Sequence, residues 1–173
     1  MMFNVPIPGG STGHAVGGVL VAILLGPWAG CIAITVALVV QALLFGDGGI
    51  TAIGANCFNM VFVLPFAGYY IYKMIGYGSP AKSGRRVVAA GVAGYIALNL
   101  ASGLTGFEFG IQPLIHKTAG GQALYCPYGL NAALPAMLGE HILVFGWVEA
   151  LVTALVIKYL QKQAPELLEE RRV

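Results

Sequence analysis

The sequence predicts an all-α fold, a polytopic transmembrane helical bundle of about five spans. Three observations predict it. Only 9% of the residues are charged and 58% are hydrophobic, where a soluble domain carries about 25% charged residues. Mean hydropathy over the 173 residues is +0.81. The apolar residues fall into five runs divided by glycine, proline and aspartate turn signals. A chain with so few charges cannot cover itself with polar groups in water, so its solvent is the lipid bilayer. The 25 glycines fit the same reading, because glycine is common in membrane helices and lets their backbones approach closely.

A membrane helix needs about 20 mostly apolar residues. The first run, about 13–25, is short and is closed by Gly26-Pro27. The second, about 28–45, ends at Gly46-Asp47-Gly48-Gly49. The third, about 54–74, contains Pro65, which removes one backbone bond and predicts a kink. The fourth covers about 87–104, and a loop with Glu108, His116 and Lys117 follows at 105–127. The fifth, about 131–160, is long, and Pro135 and Gly139 are expected to break its first turns. A charged tail with Glu166, Glu169, Glu170, Arg171 and Arg172 closes the chain as a solvated end. No internal repeat interrupts this pattern, so residues 1–173 read as a single transmembrane domain. The stretch Met1 to Gly10 has two prolines, two glycines and no positive charge, unlike a signal peptide.

Lysine and arginine set the orientation. Lys73, Lys82, Arg85 and Arg86 lie between the third and fourth runs without an acid, which makes that loop cytoplasmic. The tail carries Lys158, Lys162, Arg171 and Arg172 and lies one span pair further on, so it is cytoplasmic too. The 46–49 and 105–127 loops then face outward, as does the amino end, with His14 at the outer mouth of the first run. A net charge of +2 gives no argument for nucleic acid. Cys31, Cys57 and Cys126 are far apart, without CxxC spacing, and read as apolar packing residues.

An ionisable group at the centre of a membrane helix costs about 2.5–3.5 kcal/mol on insertion scales, so each needs a reason. His14 follows Gly9-Gly10-Ser11-Thr12-Gly13. Ser11 or Thr12 can cap the helix that follows, and the glycines permit irregular backbone where it lines a cavity. A neutral imidazole there suits a borderline divalent cation, and an interfacial histidine bonded to a loop accounts for it as well. Glu140 and His141 lie about ten residues into the fifth run, with Glu149 nine further on. On a straight helix His141 and Glu149 stand about 80° apart, and Glu140 and Glu149 about opposite. All three can face one pore only if the helix is broken. HExxH is absent, since Phe145 follows His141 by four. The residues favour a buried hydrogen-bonded pair that locks helices together over direct metal ligation. Asn56 and Asn59, three apart, can share a helix face and line a polar path, although interhelical bonding is the default for both and for Asn4, Gln41 and Asn99. Ala90 and Gly94, or Gly13 and Gly17, suit close helix packing. GxxxxGK[ST] does not occur, so the chain does not hydrolyse ATP and any active transport draws on a partner or an ion gradient.

The blocks Gly9-Gly-Ser-Thr-Gly-His14, Ala22-Ile-Leu-Leu-Gly-Pro-Trp-Ala-Gly30, Gln41-Ala-Leu-Leu-Phe-Gly-Asp-Gly-Gly49 and Gly54-Ala-Asn-Cys-Phe-Asn-Met60 resemble the CbiM/NikM family. So do Leu134-Pro-Ala-Met-Leu-Gly-Glu-His141 and Val148-Glu-Ala-Leu-Val-Thr-Ala154. These are substrate-specific membrane subunits of energy-coupling-factor cobalt and nickel importers. The resemblance implies a subunit that takes Co²⁺ or Ni²⁺ from the outer side, with the ion as cargo and no cofactor. It implies as partners a transmembrane coupling subunit, cytoplasmic ATP-binding subunits and a small accessory membrane subunit. In the family the ion is held by a Met-His amino terminus and a histidine in the glycine-hydroxyl segment. His14 matches the latter, which would make Ser11 and Thr12 groups that orient its ring. This chain opens Met1-Met2-Phe3-Asn4, and Met1 to Val5 look like the end of an earlier helix. A fragment, a misplaced start and a divergent relative all accommodate that difference. The competing readings are a structural or interaction membrane protein, and a membrane-embedded metalloenzyme using Glu140 and His141. The lack of a second nearby histidine or a nucleophile–base pair argues against the enzyme.

Overall fold

The computed structural model describes residues 5–7 and 11–168. In chain order these form strands β1 (Val5–Ile7) and β2 (Ser11–Gly13), then helices α1 (Gly18–Leu25), α2 (Pro27–Leu44), α3 (Ile53–Asn56), α4 (Leu64–Gly76), α5 (Gly84–Ile115), α6 (Leu130–Glu140) and α7 (Gly146–Gln163). A π-helical segment, Cys57–Val63, joins α3 to α4, and another, His141–Phe145, joins α6 to α7. Four continuous helical stretches are long and apolar enough to cross a membrane, Pro27–Leu44, Ile50–Gly76, Gly84–Ile115 and Leu130–Gln163. At about 1.5 Å per residue the 18 residues of Pro27–Leu44 reach about 27 Å and the other three stretches exceed the roughly 30 Å hydrocarbon core.

The five expected runs map onto these four stretches and one short helix. The run at 13–25 is the one that differs. It opens in β2, continues through residues 14–17 as an irregular link and becomes helical only at Gly18, and the eight residues of α1 reach about 12 Å. The run expected over 87–104 continues to Ile115. Glu108 therefore lies within α5 and not in a loop. Packing explains the extension, since Gly106 meets the backbone of Ala133 and Leu134, and Gly110 that of Leu130. At Pro65 the irregularity is the π-helical segment Cys57–Val63 just before it, and Pro65 is the second residue of α4 inside the continuous Ile50–Gly76 stretch. Pro135 sits inside α6 without ending it, and the irregularity falls at His141–Phe145. Val5 belongs to a strand and not to a helix end. Asn4 and the acidic and basic residues 169–172 lie outside the described residues.

α5 is the central helix and packs on α4, α6 and α7. Its buried face is made of small residues, Ala89, Ala90, Ala93, Gly94, Ala97 and Ala101. A Cβ on Gly94 would stand 3.2 Å from the Glu149 carbonyl, so α7 packs against the backbone of α5 there, as small residues allow. Large apolar side chains point outward. Trp28, Ile32 and Val36 form one exposed stripe on α2, and Leu143, Trp147, Leu151 and Leu155 another on the last crossing. Four-residue spacing puts each stripe on one helix face, turned to lipid.

The basic loop and the tail share one end of the bundle. Gln161 Nε2 donates to the carbonyls of Ala81 and Ser83 at 2.8 and 2.9 Å, and Arg86 Nη1 donates to Leu168 O at 3.3 Å. α1 touches the Pro165–Leu168 turn at this end and is seated between α2 and α4 by two glycines. Gly30 lies under Ala22, and Gly68 lies against the Val19 side chain.

Candidate metal-binding site

The site is built around the chain between β2 and α1. β1 and β2 pair antiparallel, with Val5 opposite Gly13 and Ile7 opposite Ser11. A Cβ on Gly13 would stand 2.5 Å from both Glu140 Oε1 and Phe145 Cε2, so the strand lies directly on the last crossing. His14 comes next. Both of its ring nitrogens are buried and have no hydrogen-bond partner among the described residues. Asp47 and His141 lie within electrostatic range of the ring. Its neighbour Gly13 meets Glu140, which lies ten residues, about 15 Å, along the crossing that starts at Leu130.

α1 has no side-chain cap of its own, and its N-cap is Gly17 at φ 77°. Ser11 and Thr12 do not cap it, because five or more residues separate them from Gly18. Thr12 is exposed on β2. The cap comes from α7. Glu149, 1% exposed, accepts hydrogen bonds on Oε2 from Val16 N–H and Gly17 N–H, each at 2.9 Å, and on Oε1 from Gly17 N–H at 3.1 Å. An anionic carboxylate is favourable at a helix amino end, where N–H groups lack intrahelical partners.

Glu140 and Glu149 would stand on opposite faces of an unbroken helix. The π-helical turn His141–Phe145 lies between them, and such a turn takes in about one extra residue. That removes about 100° and leaves about 80°, which lets Glu140 face Gly13 while Glu149 reaches Val16 and Gly17. Tyr95 of α5 donates its hydroxyl to Ile142 O in this turn at 3.1 Å. Gly146 ends it, pressed against Asn99 and Tyr95.

His141 is buried, and its Nδ1 lies 2.8 Å from Met137 O one turn back in its own helix. Glu140 Oε1 is 3.1 Å from the same nitrogen, but it is not in hydrogen-bonding geometry and has no hydrogen-bond partner among the described residues. The expected pair locking two helices is therefore not what forms. His141 bonds within its helix, and Glu140 meets the hairpin. Asn59 is buried and donates to Glu108 Oε2 at 2.7 Å, while Asn56 donates to Gly48 O at 2.9 Å. Asn59 thus ties the Cys57–Val63 segment to α5, and Asn56 braces the turn holding Asp47, whose carboxylate accepts from Gln41 Nε2. Among the described residues, no three His, Cys, Asp or Glu side chains converge to hold a metal ion. Cys31, Cys57 and Cys126 are free thiols.

Sequence reasoning singled out Glu149 by its spacing but not its role. The signal was the unsatisfied start of α1, a short helix after a glycine with no adjacent cap in an apolar setting.

The family profile described as the cobalt uptake substrate-specific transmembrane region matches residues 1–167. The chain belongs to the CbiM family. It is 51% identical over 165 residues to a probable fused nickel transport protein of Lactiplantibacillus plantarum, covering 95% of this chain and 49% of that one. It is 51% identical over 172 residues to a fused nickel transport protein of Rhodobacter capsulatus, covering 99% and 50% respectively. The chain thus spans about half the length of these two relatives. The crystal structure of a transition metal transporter superposes with a TM-score of 0.87 at 54% identity, covering 94% of this chain and 70% of that one. The all-α transmembrane bundle is thus the architecture of a CbiM-family protein, and these relatives are named as transport proteins and not as enzymes.

Proposed function

We propose that this CbiM-family chain captures Co²⁺ or Ni²⁺ from the outer side of a prokaryotic cell (inner) membrane as the substrate subunit of an ATP-driven importer. The observation that carries the proposal is His14. Its two ring nitrogens are buried without a hydrogen-bond partner among the described residues, although buried polar groups in proteins are nearly always paired. An imidazole kept unpaired in a polar niche is a ligand awaiting its ion, and imidazole suits both cations. The described residues do not complete a metal cage, and where the family pattern adds a Met-His amino terminus this sequence has Met1-Met2-Phe3-Asn4, so His14 is the one ligand of the family pattern that the sequence matches. Ser11 and Thr12 flank the ligand segment, Glu140 and His141 lie on the crossing that its hairpin meets, and Asn56 and Asn59 brace the neighbouring turn and helix. The basic loop with Lys73 and Arg86 lies beside the tail, which supports a cytoplasmic position for both and leaves the hairpin opening outward. With no nucleotide-binding loop in this chain, energy comes from cytoplasmic ATP-binding subunits through a transmembrane coupling subunit, with a small accessory membrane subunit.

The test is equilibrium binding of Ni²⁺ and Co²⁺ to the protein in detergent, beside His14→Ala. Loss of binding in the variant supports the proposal. Unchanged binding places the ligands elsewhere and overturns it.

A further inference from the structure

We propose that Glu149 is a positioning residue for His14, delivered to its place by the π-helical turn His141–Phe145. This inference rests on the reading of His14 as a metal ligand.

The geometry points to Glu149 in three ways. It is a carboxylate 1% exposed inside a membrane bundle, a location where ionisable groups are rare and functional. It spends its acceptors on backbone, taking three hydrogen bonds at 2.9–3.1 Å from Val16 and Gly17. Those amides belong to the residues just beyond the His14-Ala15 pair. On the other side of His14, Gly13 is pinned against Glu140 and Phe145. His14 therefore sits between two anchors, both on the last crossing and on opposite sides of its π-helical turn. The backbone of Gly17 bends through φ 77° to present its N–H. Nothing lies within 4 Å of where its Cβ would stand, so it is the conformation and not crowding that selects glycine there.

A ligand held this way keeps its ring in place before the ion arrives, so binding is not charged the cost of ordering the segment. Glu149 does this without touching the ion, as outer-shell groups around metals do.

Glu149→Gln tests this. The substitution keeps the volume but turns one acceptor into an amide donor facing the Gly17 N–H. Affinity for Ni²⁺ and Co²⁺ is expected to fall by about 10–100-fold, the usual effect of losing an outer-shell group, with a shifted visible spectrum of bound Co²⁺. Amide exchange in the 13–17 segment is expected to rise. Glu149→Asp, which retains both oxygens, is expected to recover part of the affinity. Wild-type affinity, spectrum and exchange in Glu149→Gln overturn the proposal. If that variant does not fold, Gly17→Ala replaces it, leaving the carboxylate intact but straining the φ 77° backbone. Weakened binding in Gly17→Ala supports the anchor, and unchanged binding overturns it. Failure of the metal-capture reading is seen separately, as a protein whose binding ignores His14→Ala. In that case faster exchange at Val16 and Gly17 in Glu149→Gln still supports the anchor, and unchanged exchange overturns it.

Discussion

Glu140 Oε1 occupies the space where a side chain on Gly13 would begin, 2.5 Å from the ideal Cβ position. Phe145 closes the same space from the other side at 2.5 Å. Gly13→Ala should therefore push β2 off the last crossing. Overpacking of this kind costs about 1–3 kcal/mol. The expected outcome is a lower melting temperature in detergent together with weaker Ni²⁺ binding. Melting and binding equal to wild type would mean that Glu140 swings aside freely and that the contact does not define the site.

Tyr95→Phe deletes a single hydroxyl, the donor to Ile142 O in the π-helical turn. The hydrogen bond is an exposed one, and losing such a bond costs about 0.5–1.5 kcal/mol. The variant should melt earlier and exchange amide protons faster near 141–146, with α2 unaffected. Exchange unchanged in that turn would show that the hydroxyl is incidental to it.

Gly68 lies against the Val19 side chain, which is fully buried. Gly68→Ala places a methyl group inside that contact and separates α1 from α4, at a cost of about 1–3 kcal/mol. Reduced thermal stability is the expected result. Gly54→Ala is a fair control because nothing lies within 4 Å of its Cβ position, and the two variants behaving alike would count against close packing of α1.

The orientation predicts which thiols meet an impermeant maleimide. Cys126 is a free thiol in the loop between α5 and α6, and it should label from outside intact cells. In a background with Cys126 replaced by Ser, Ser79→Cys should label only after permeabilisation, because it follows α4 at the basic end. Reversed labelling would invert the topology and with it the outward opening of the hairpin.

The long crossings were legible from hydropathy because lipid demands apolar length, and the shared end of basic loop and tail was legible from charge. The shape of the first run was not. Residues 13–17 are as glycine-rich as a membrane helix can be, and the contacts that hold them out of a helix, Glu149 on Val16 and Gly17 and the packing of Gly13, come from the distant last crossing. The break in the last crossing was sought at Pro135 and Gly139, the residues that usually mark one. It falls instead at His141–Phe145, where tertiary contacts from Tyr95 and Asn99 set the backbone. Glu108 falls beyond the apolar run 87–104 and so reads as part of a loop, yet Gly106 continues the helix by fitting the backbone of α6. His14 was found from its setting, whereas its missing hydrogen bonds are a property of three-dimensional placement alone.

The change from strand to helix between Gly13 and Gly18 gives the first crossing a joint. A single rigid rod through the bilayer cannot tilt at one end without displacing the other. Here one half is a helix wedged between α2 and α4, and the other is a two-stranded hairpin connected to it by residues 14–17, which are neither helix nor strand. Gly13 is pinned against Glu140 and Phe145, and Gly17 is tied to Glu149, so both ends of the joint are clamped to the last crossing and any displacement of that crossing reaches His14 directly.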